Sequence, residues 1–267
     1  MIRLLFILSF VLSILFANDN SVVVKAKIVG KDVVVNAKNS NPFSVTVVYD
    51  AKFKNLNTRE KFPMLFVLKP QSQKKVLKLH IKGKFKYKAN YNWTIGSKDA
   101  AHDNSYIYRL PYEVGTKRTV SQGFNGDFTH FGASKYAVDF SMPVGTEVYS
   151  AREGRVVKVK NDSNKGGPTK AFLDDANYVI IEHNDGTLAT YAHLKYHGVV
   201  VKVGQNVSRG EHLGYSGKTG MARGPHLHFM VYKAVDGETR ESIPIKFYSF
   251  NGLIEKPEKN KEYQAVY

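Results

Sequence analysis

The 267-residue sequence contains no cysteine. Disulfides, thiolate catalysis and Cys-ligated zinc or iron–sulfur centres are thereby excluded, so any metal must be held by His, Asp or Glu. Low-complexity sequence is scarce, and the 21 glycines and 9 prolines follow no collagen-like period. Helical periodicity is hard to find anywhere along the chain. Long apolar runs are also lacking, save one from Leu4 to Ala17 that is broken by Ser9 and Ser13. That run is short for a bilayer span, which takes ~20 residues. With Met1-Ile2-Arg3 before it and Asn18-Asp19-Asn20 after it, the run predicts a secretory signal peptide over residues 1–17. A periplasmic or cell-surface protein is expected, without lipid attachment because no Cys follows.

What is present is a well-stocked core and a surplus of positive charge. Hydrophobic residues make up 43%, enough for one large or two small packed domains. Lys+Arg total 39 against 23 Asp+Glu, a net charge of +16. The surplus is uneven. Residues 18–100 carry 17 basic and 5 acidic residues, whereas 101–267 carry 21 and 18. This shift predicts a basic domain over 18–100, a second domain over 101–254 and a loosely held charged tail over 255–267. In the first segment, Val22–Ile28, Val33–Ala37, Phe43–Tyr49, Met64–Val67 and Val76–Tyr87 alternate as strands do, with turn clusters between them. Five short strands in about 80 residues suggest a small immunoglobulin-like β-sandwich.

The last of those strands places Leu77, Leu79, Ile81, Phe85 and Tyr87 on odd positions and Lys78, Lys82, Lys84, Lys86 and Lys88 on even ones. A period of two sends the lysines to one face. A bland solvated face and attraction to a polyanion are both compatible with this stripe. In an exported protein the polyanion would be the anionic cell wall. The interleaved aromatics of a single-strand nucleic-acid binder are missing, so no nucleic acid is expected.

Histidines carry the chemistry of the second segment. Pro225-His226-Leu227-His228-Phe229 leads into an apolar run and reads as a strand, with both rings on one face and Cα atoms about 6.5–7 Å apart. Asp139 sits among apolar neighbours in Tyr136-Ala137-Val138-Asp139-Phe140. A carboxylate buried there needs a partner or a metal. His130 lies in the polar loop Gly126–Gly132, and His193 ends the strand-like run Leu188–His193 after an Asn184-Asp185-Gly186 turn. His183 is expected at the surface beside that turn.

The order of short stretches then becomes specific. Ala137-Val138-Asp139-Phe140, Pro143-Val144-Gly145-Thr146, Tyr191-Ala192-His193-Leu194, Gly214-Tyr215-Ser216-Gly217 and Gly224-Pro225-His226-Leu227-His228-Phe229 follow one another. Over roughly residues 105–235 the chain resembles the lysostaphin/LytM-type zinc metallopeptidases, which cut peptides of bacterial peptidoglycan. The resemblance implies one Zn2+ per chain on His130, Asp139 and His228, with His193 and His226 as the non-ligating catalytic histidines. Many members have a short His-x-x-x-Asp spacing, whereas eight residues separate His130 from Asp139 here. His102 is therefore the alternative ligand.

Three N and O ligands leave a fourth tetrahedral position open, the pattern of a catalytic zinc site. Neither His-Glu-x-x-His nor its reverse occurs, so histidines would have to do the acid/base work. Which of His193 and His226 is the base stays open. The architecture expected is all-β, ending in a mostly antiparallel sheet with a surface groove and a groove-wall loop over Asn161–Asn177. The function expected is hydrolysis of peptidoglycan cross-links, with D-alanyl–diaminopimelate bonds as first choice, by a monomer. The alternative is a non-catalytic peptidoglycan-binding or hydrolase-activating relative. Such relatives have lost ligand residues, whereas all five positions are filled here.

Overall fold

A computed structural model describes residues 21–267. The expected signal peptide lies outside the described residues. The rest is all-β, as expected, with only two short 3-10 turns, Gly132–Ser134 and Lys170–Asp175. Nearly every alternating stretch of the sequence becomes a strand, because period-two patterning buries one face per strand.

The first five strands are β1 (Val22–Val29), β2 (Asp32–Asn39), β3 (Val45–Asn57), β4 (Met64–Leu68) and β5 (Ser72–Ile95). They form one antiparallel sheet in the order β1-β2-β5-β3-β4. This corrects the expected immunoglobulin-like pair of sheets. The 24-residue β5 is long enough to pair with β2 along Ser72–His80 and with β3 along His80–Ile95, so a single strand joins what would be two sheets. The sheet rolls back on itself around an apolar interior. The Tyr91 hydroxyl donates to the Val22 carbonyl at 3.1 Å, and the Asn39 amide donates to Leu68 and Lys69 carbonyls at 3.3 and 3.0 Å. A bulge breaks β5 where Lys54 pairs Lys86 but Leu56 pairs Ile81. Gly83, at φ +88°, lies inside it and accepts a backbone turn that other residues resist.

The second sheet holds nine strands. They are β6 (Lys117–Gln122), β7 (Val138–Ser141), β8 (Gly154–Lys160), β9 (Tyr178–Glu182) and β10 (Leu188–Ala192). The remaining four are β11 (Asn206–Val207), β12 (His226–Ala234), β13 (Arg240–Ser242) and β14 (Glu262–Gln264). The order is β11-β8-β9-β10-β12-β7-β6-β14, with β13 beside β12 and every pairing antiparallel. The charged segment expected to hang loose is instead tied down. Tyr263 pairs Arg118, and Tyr263 and Ala265 are buried while Lys259, Lys261 and Glu262 just before them are exposed.

The two faces of this second sheet have different uses. Leu227, Phe229, Val231, Ala189, Tyr191, Val179, Ile181, Val138 and Phe140 point into one core with Tyr108, Tyr112 and Phe247. On the opposite face, Val157, Leu188, Tyr232 and Ala137 join the apolar residues of the first sheet in a second core. The two segments therefore share a core. The rest of that face is open and floors a groove.

Candidate active site

Register assembles the site. His228 on β12 is directly opposite Asp139 on β7, and opposite Ala192 on β10 from the other side. Tyr178 on β9 and Lys160 on β8 continue the row. Because side chains alternate, His226 and His228 face the same groove while Leu227 and Phe229 enter the core. The small Ala192 beside His228 leaves room above the sheet. His193 follows β10 in a left-handed conformation, φ +64°. A non-glycine residue held there is unusual and turns the chain out of the strand, a feature concentrated at functional sites. His130 comes from the loop between β6 and β7 and is fully buried.

Five side chains from four segments meet. Ligand atoms of His130, Asp139 and His228 all lie within 4.8 Å of one another, the spacing of a group that could hold a metal ion. His130 Nε2 is 3.1 Å and His228 Nδ1 2.8 Å from Asp139 Oδ1. His226 Nε2 is 3.8 Å from Asp139 Oδ2. The His193 ring centre lies 4.5 Å from that of His226 and 5.8 Å from that of His228.

Backbone carbonyls orient three of the rings. The Nδ1 atoms of His130, His193 and His226 bond to the carbonyls of Gly123, Thr219 and Gly224 at 2.8, 2.7 and 2.9 Å. In His193 and His226 the Nδ1 carries the proton of this bond, which leaves Nε2 with a lone pair, whereas both nitrogens of His130 face oxygen acceptors, the Gly123 carbonyl and Asp139 Oδ1. Burial by itself would raise the Asp139 pKa. Hydrogen bonds from His130 and His228, and the charges of His228 and His226, hold it well below the usual carboxylate range. Burial, reinforced by His226 and His228, pushes the His193 ring down to about 3, so it is neutral.

One functional neighbour carries no sequence signal. Gln122, at the end of β6, donates from its amide to Asp139 Oδ2 at 3.0 Å and to Thr129 Oγ1 at 2.8 Å. Its Oε1 accepts from the backbone N–H of Phe128 and Thr129. It thus ties the carboxylate to the loop that carries His130. His102, the alternative ligand, is elsewhere: it stacks on Tyr108 and bonds its hydroxyl at 3.2 Å. Tyr191 is buried and its hydroxyl accepts from the Ala151 N–H at 2.8 Å, a packing role. Ser216 donates to the Pro143 carbonyl and faces no base. His183 corrects the surface expectation. It is 3% exposed, with Nδ1 bonded to the Glu153 carbonyl and its ring against Tyr108, because the hairpin folds onto the chain entering the second sheet.

The groove around the five side chains is walled by Phe128 and Phe131 from the His130 loop, by Pro168, Leu173 and Ala176, and by Pro257. The wall expected at Asn161–Asn177 is thus partly in place, and the C-terminal segment supplies another. Ile95 is the only lining residue from the first sheet. The first sheet therefore abuts one end of the groove and does not cover the histidines.

Comparison with known proteins finds a family match for the segment that carries most of this site. Residues 133–241 match the model of Peptidase family M23. The chain is 38% identical over 122 residues to peptidoglycan DD-endopeptidase ShyA of Vibrio cholerae, covering 44% of this chain and 26% of that protein. It is 38% identical over 116 residues to lysostaphin of Staphylococcus simulans, covering 42% and 21%. The chain spans about a quarter of the length of the curated relatives it matches. Among solved structures, the catalytic domain of lysostaphin is 27% identical, with a TM-score of 0.34, covering 48% of this chain and 87% of that one. Asp139, His193, His226 and His228 fall inside the matched stretch and His130 just before it, and residues 133–241 of this chain constitute a Peptidase family M23 domain.

Proposed function

We propose that this protein is a metal-dependent endopeptidase that hydrolyses peptide cross-links of bacterial peptidoglycan, with D-alanyl–diaminopimelate bonds as its substrate. The observation that carries this reading is the convergence of His130, Asp139 and His228 beside His193 and His226 on a groove floor. Two imidazole nitrogens and one carboxylate oxygen, with His130 oriented by a backbone carbonyl, suit zinc. Those three residues would hold one Zn2+, which supplies Lewis-acid activation of water and of the scissile carbonyl.

The chain's own groups do the rest. His193 and His226 present Nε2 lone pairs to the groove. One of them takes the proton as the water oxygen bonds to the carbonyl carbon. The same pair returns a proton to the leaving amine as the C–N bond breaks. Gln122 keeps Asp139 and the His130 loop in register throughout. The test is digestion of purified sacculi by the full chain, with and without a zinc chelator, followed by mass spectrometry of the products. Loss of cross-linked dimers that the chelator abolishes is expected. His193→Ala and His226→Ala should each lower turnover by about 10²–10⁴-fold while metal content stays at one per chain. Metal lost from those variants, or turnover retained, would refute the assigned roles.

The basic sheet gives this enzyme a hold on its substrate. Lys78, Lys82, Lys84, Lys86 and Lys88 are exposed along β5, and Lys52 and Lys54 of β3 stand directly opposite Lys88 and Lys86. Like charges facing each other cost stability, so the density suits an anionic wall surface outside the membrane, reached through the signal peptide over 1–17. Replacing Lys84, Lys86 and Lys88 by Gln should weaken sacculus binding and flatten its salt dependence. Unchanged co-sedimentation at low salt would argue for a merely solvated face.

A further inference from the structure

The groove floor has two rows of side chains beyond the histidines, and one end of it is positive. In the first row, Asp139, His228, Ala192, Tyr178 and Lys160 stand side by side on β7, β12, β10, β9 and β8. In the second, Met230, Thr190, Ile180 and Lys158 do the same. Beyond them the row of Tyr232 and Leu188 is buried under the first sheet, where Ile95 closes the floor. The open floor therefore extends across the strands toward β8.

At β8 it meets two ammonium groups. Lys158 is exposed, and its Nζ lies 5.9 Å from the centre of the Tyr178 ring, leaning over the row that holds His228. The Lys160 Nζ donates to the Asp174 carbonyl, which anchors it to the groove wall. Among the described residues neither ammonium has a carboxylate within ion-pair distance, whereas Lys78, Lys98, Arg152, Lys233, Lys246 and Lys261 each do. Apolar Ile180 and Met230 line the same floor, so the charges are not there to keep a surface wetted.

We propose that Lys158, supported by Lys160, forms a carboxylate subsite that recognises an acidic residue of the stem peptide. This rests on the endopeptidase reading above. The distance identifies which residue. From β12 to β9 is two strand spacings, about 9.5 Å. An extended chain covers that in about three residues at ~3.3–3.6 Å each. In a stem peptide cut after its D-alanine, the third residue before the bond is the γ-linked glutamate, whose α-carboxylate is free or amidated. Lys158 reads that carboxylate and sets a preference for the unamidated stem.

The experiment uses two synthetic cross-linked stem dimers that differ only in carboxylate or carboxamide at this glutamyl position. The full-length zinc-loaded protein should cleave the carboxylate form with about tenfold higher kcat/KM, the difference residing in KM, as one charge-assisted contact at a partly open site provides. Lys158→Met should erase the preference, bringing the kcat/KM of the carboxylate dimer down to that of the carboxamide dimer. Lys158→Glu should reverse it. Equal cleavage of both dimers by the wild type, or a preference that survives Lys158→Met, would overturn the subsite. Calorimetric binding of the same dimers to the full-length His193→Ala variant reads the preference without cleavage. Selective binding with no cleavage by the wild type would therefore sink the endopeptidase reading and leave the subsite standing.

Discussion

Gln122 uses all of its hydrogen-bonding capacity at the site: two backbone N–H groups into its oxygen, Thr129 and Asp139 from its nitrogen. Gln122→Ala should lower metal affinity about 10–100-fold, as loss of a partner behind a metal ligand does. Competition against a chromogenic chelator measures this, and an unchanged affinity would show that the loop holds Asp139 without it. His183 supports a second residue-level expectation. Burial pushes its pKa from 6.5 down to about 4. The folded ring stays neutral, so between those values the unfolded chain binds the extra proton. Its contribution is complete above pH 6.5 and is lost as the pH falls toward 4, a change of roughly 3 kcal/mol at 1.36 kcal/mol per pKa unit. Urea unfolding at pH 7 and pH 4.5 should show a smaller fall for His183→Gln than for the wild type. Equal falls would remove His183 from the acid sensitivity. Asp139 and His228 were legible because apolar neighbours and strand alternation mark them. Gln122 has no such mark, since a glutamine ending a strand is ordinary until its partners are known.

Among elements, alternation decided most outcomes. The lysine stripe of β5 and the buried Leu77 and Leu79 follow from period two alone. The same rule reaches β14, where composition was misleading: charge suggested a loose tail, yet Tyr263 and Ala265 alternate inward. The Tyr263 hydroxyl also accepts from the Glu258 N–H at 3.1 Å and so shapes the groove wall at Pro257. Tyr263→Ala should cost about 3 kcal/mol, within the range for removing a buried aromatic side chain. Guanidinium unfolding would measure it, and a cost under about 0.5 kcal/mol, the scale of an ordinary surface substitution, would mean that β14 frays. The length of β5 is a feature that local patterning leaves undetermined. The sequence alternates on both sides of Gly83, and only pairing with β2 and β3 in turn makes one strand of it.

At the scale of the whole molecule, the two compositional halves share an apolar core. Leu188 and Tyr232 are fully buried, and Val157 is 1% exposed, against the first sheet. Gly237 sits so near Val48 and Asn92 that an added Cβ would lie 2.4 Å from the Val48 nitrogen. Calorimetry of the full chain should therefore show a single transition, lowered as a unit by Leu188→Ala, at a cost of about 2–5 kcal/mol. Two resolved transitions, only one of them moved, would contradict the shared core. This docking also fixes the groove, because the first sheet ends its floor at Ile95.

The sequence by itself determined the all-β class, the charge asymmetry and the strand faces, and it singled out the five side chains that converge on the groove floor. Each depends on residue type at a short, regular spacing, and alternation or an ordered run of motifs carries that locally. Only the tertiary structure decided that β5 joins two would-be sheets and that the C-terminal segment closes a wall. It likewise decided that Gln122 stands behind Asp139 and that Lys158 shares a floor with His228. These depend on register between strands far apart in the chain, and register is set by how complete faces pack, which no local window contains.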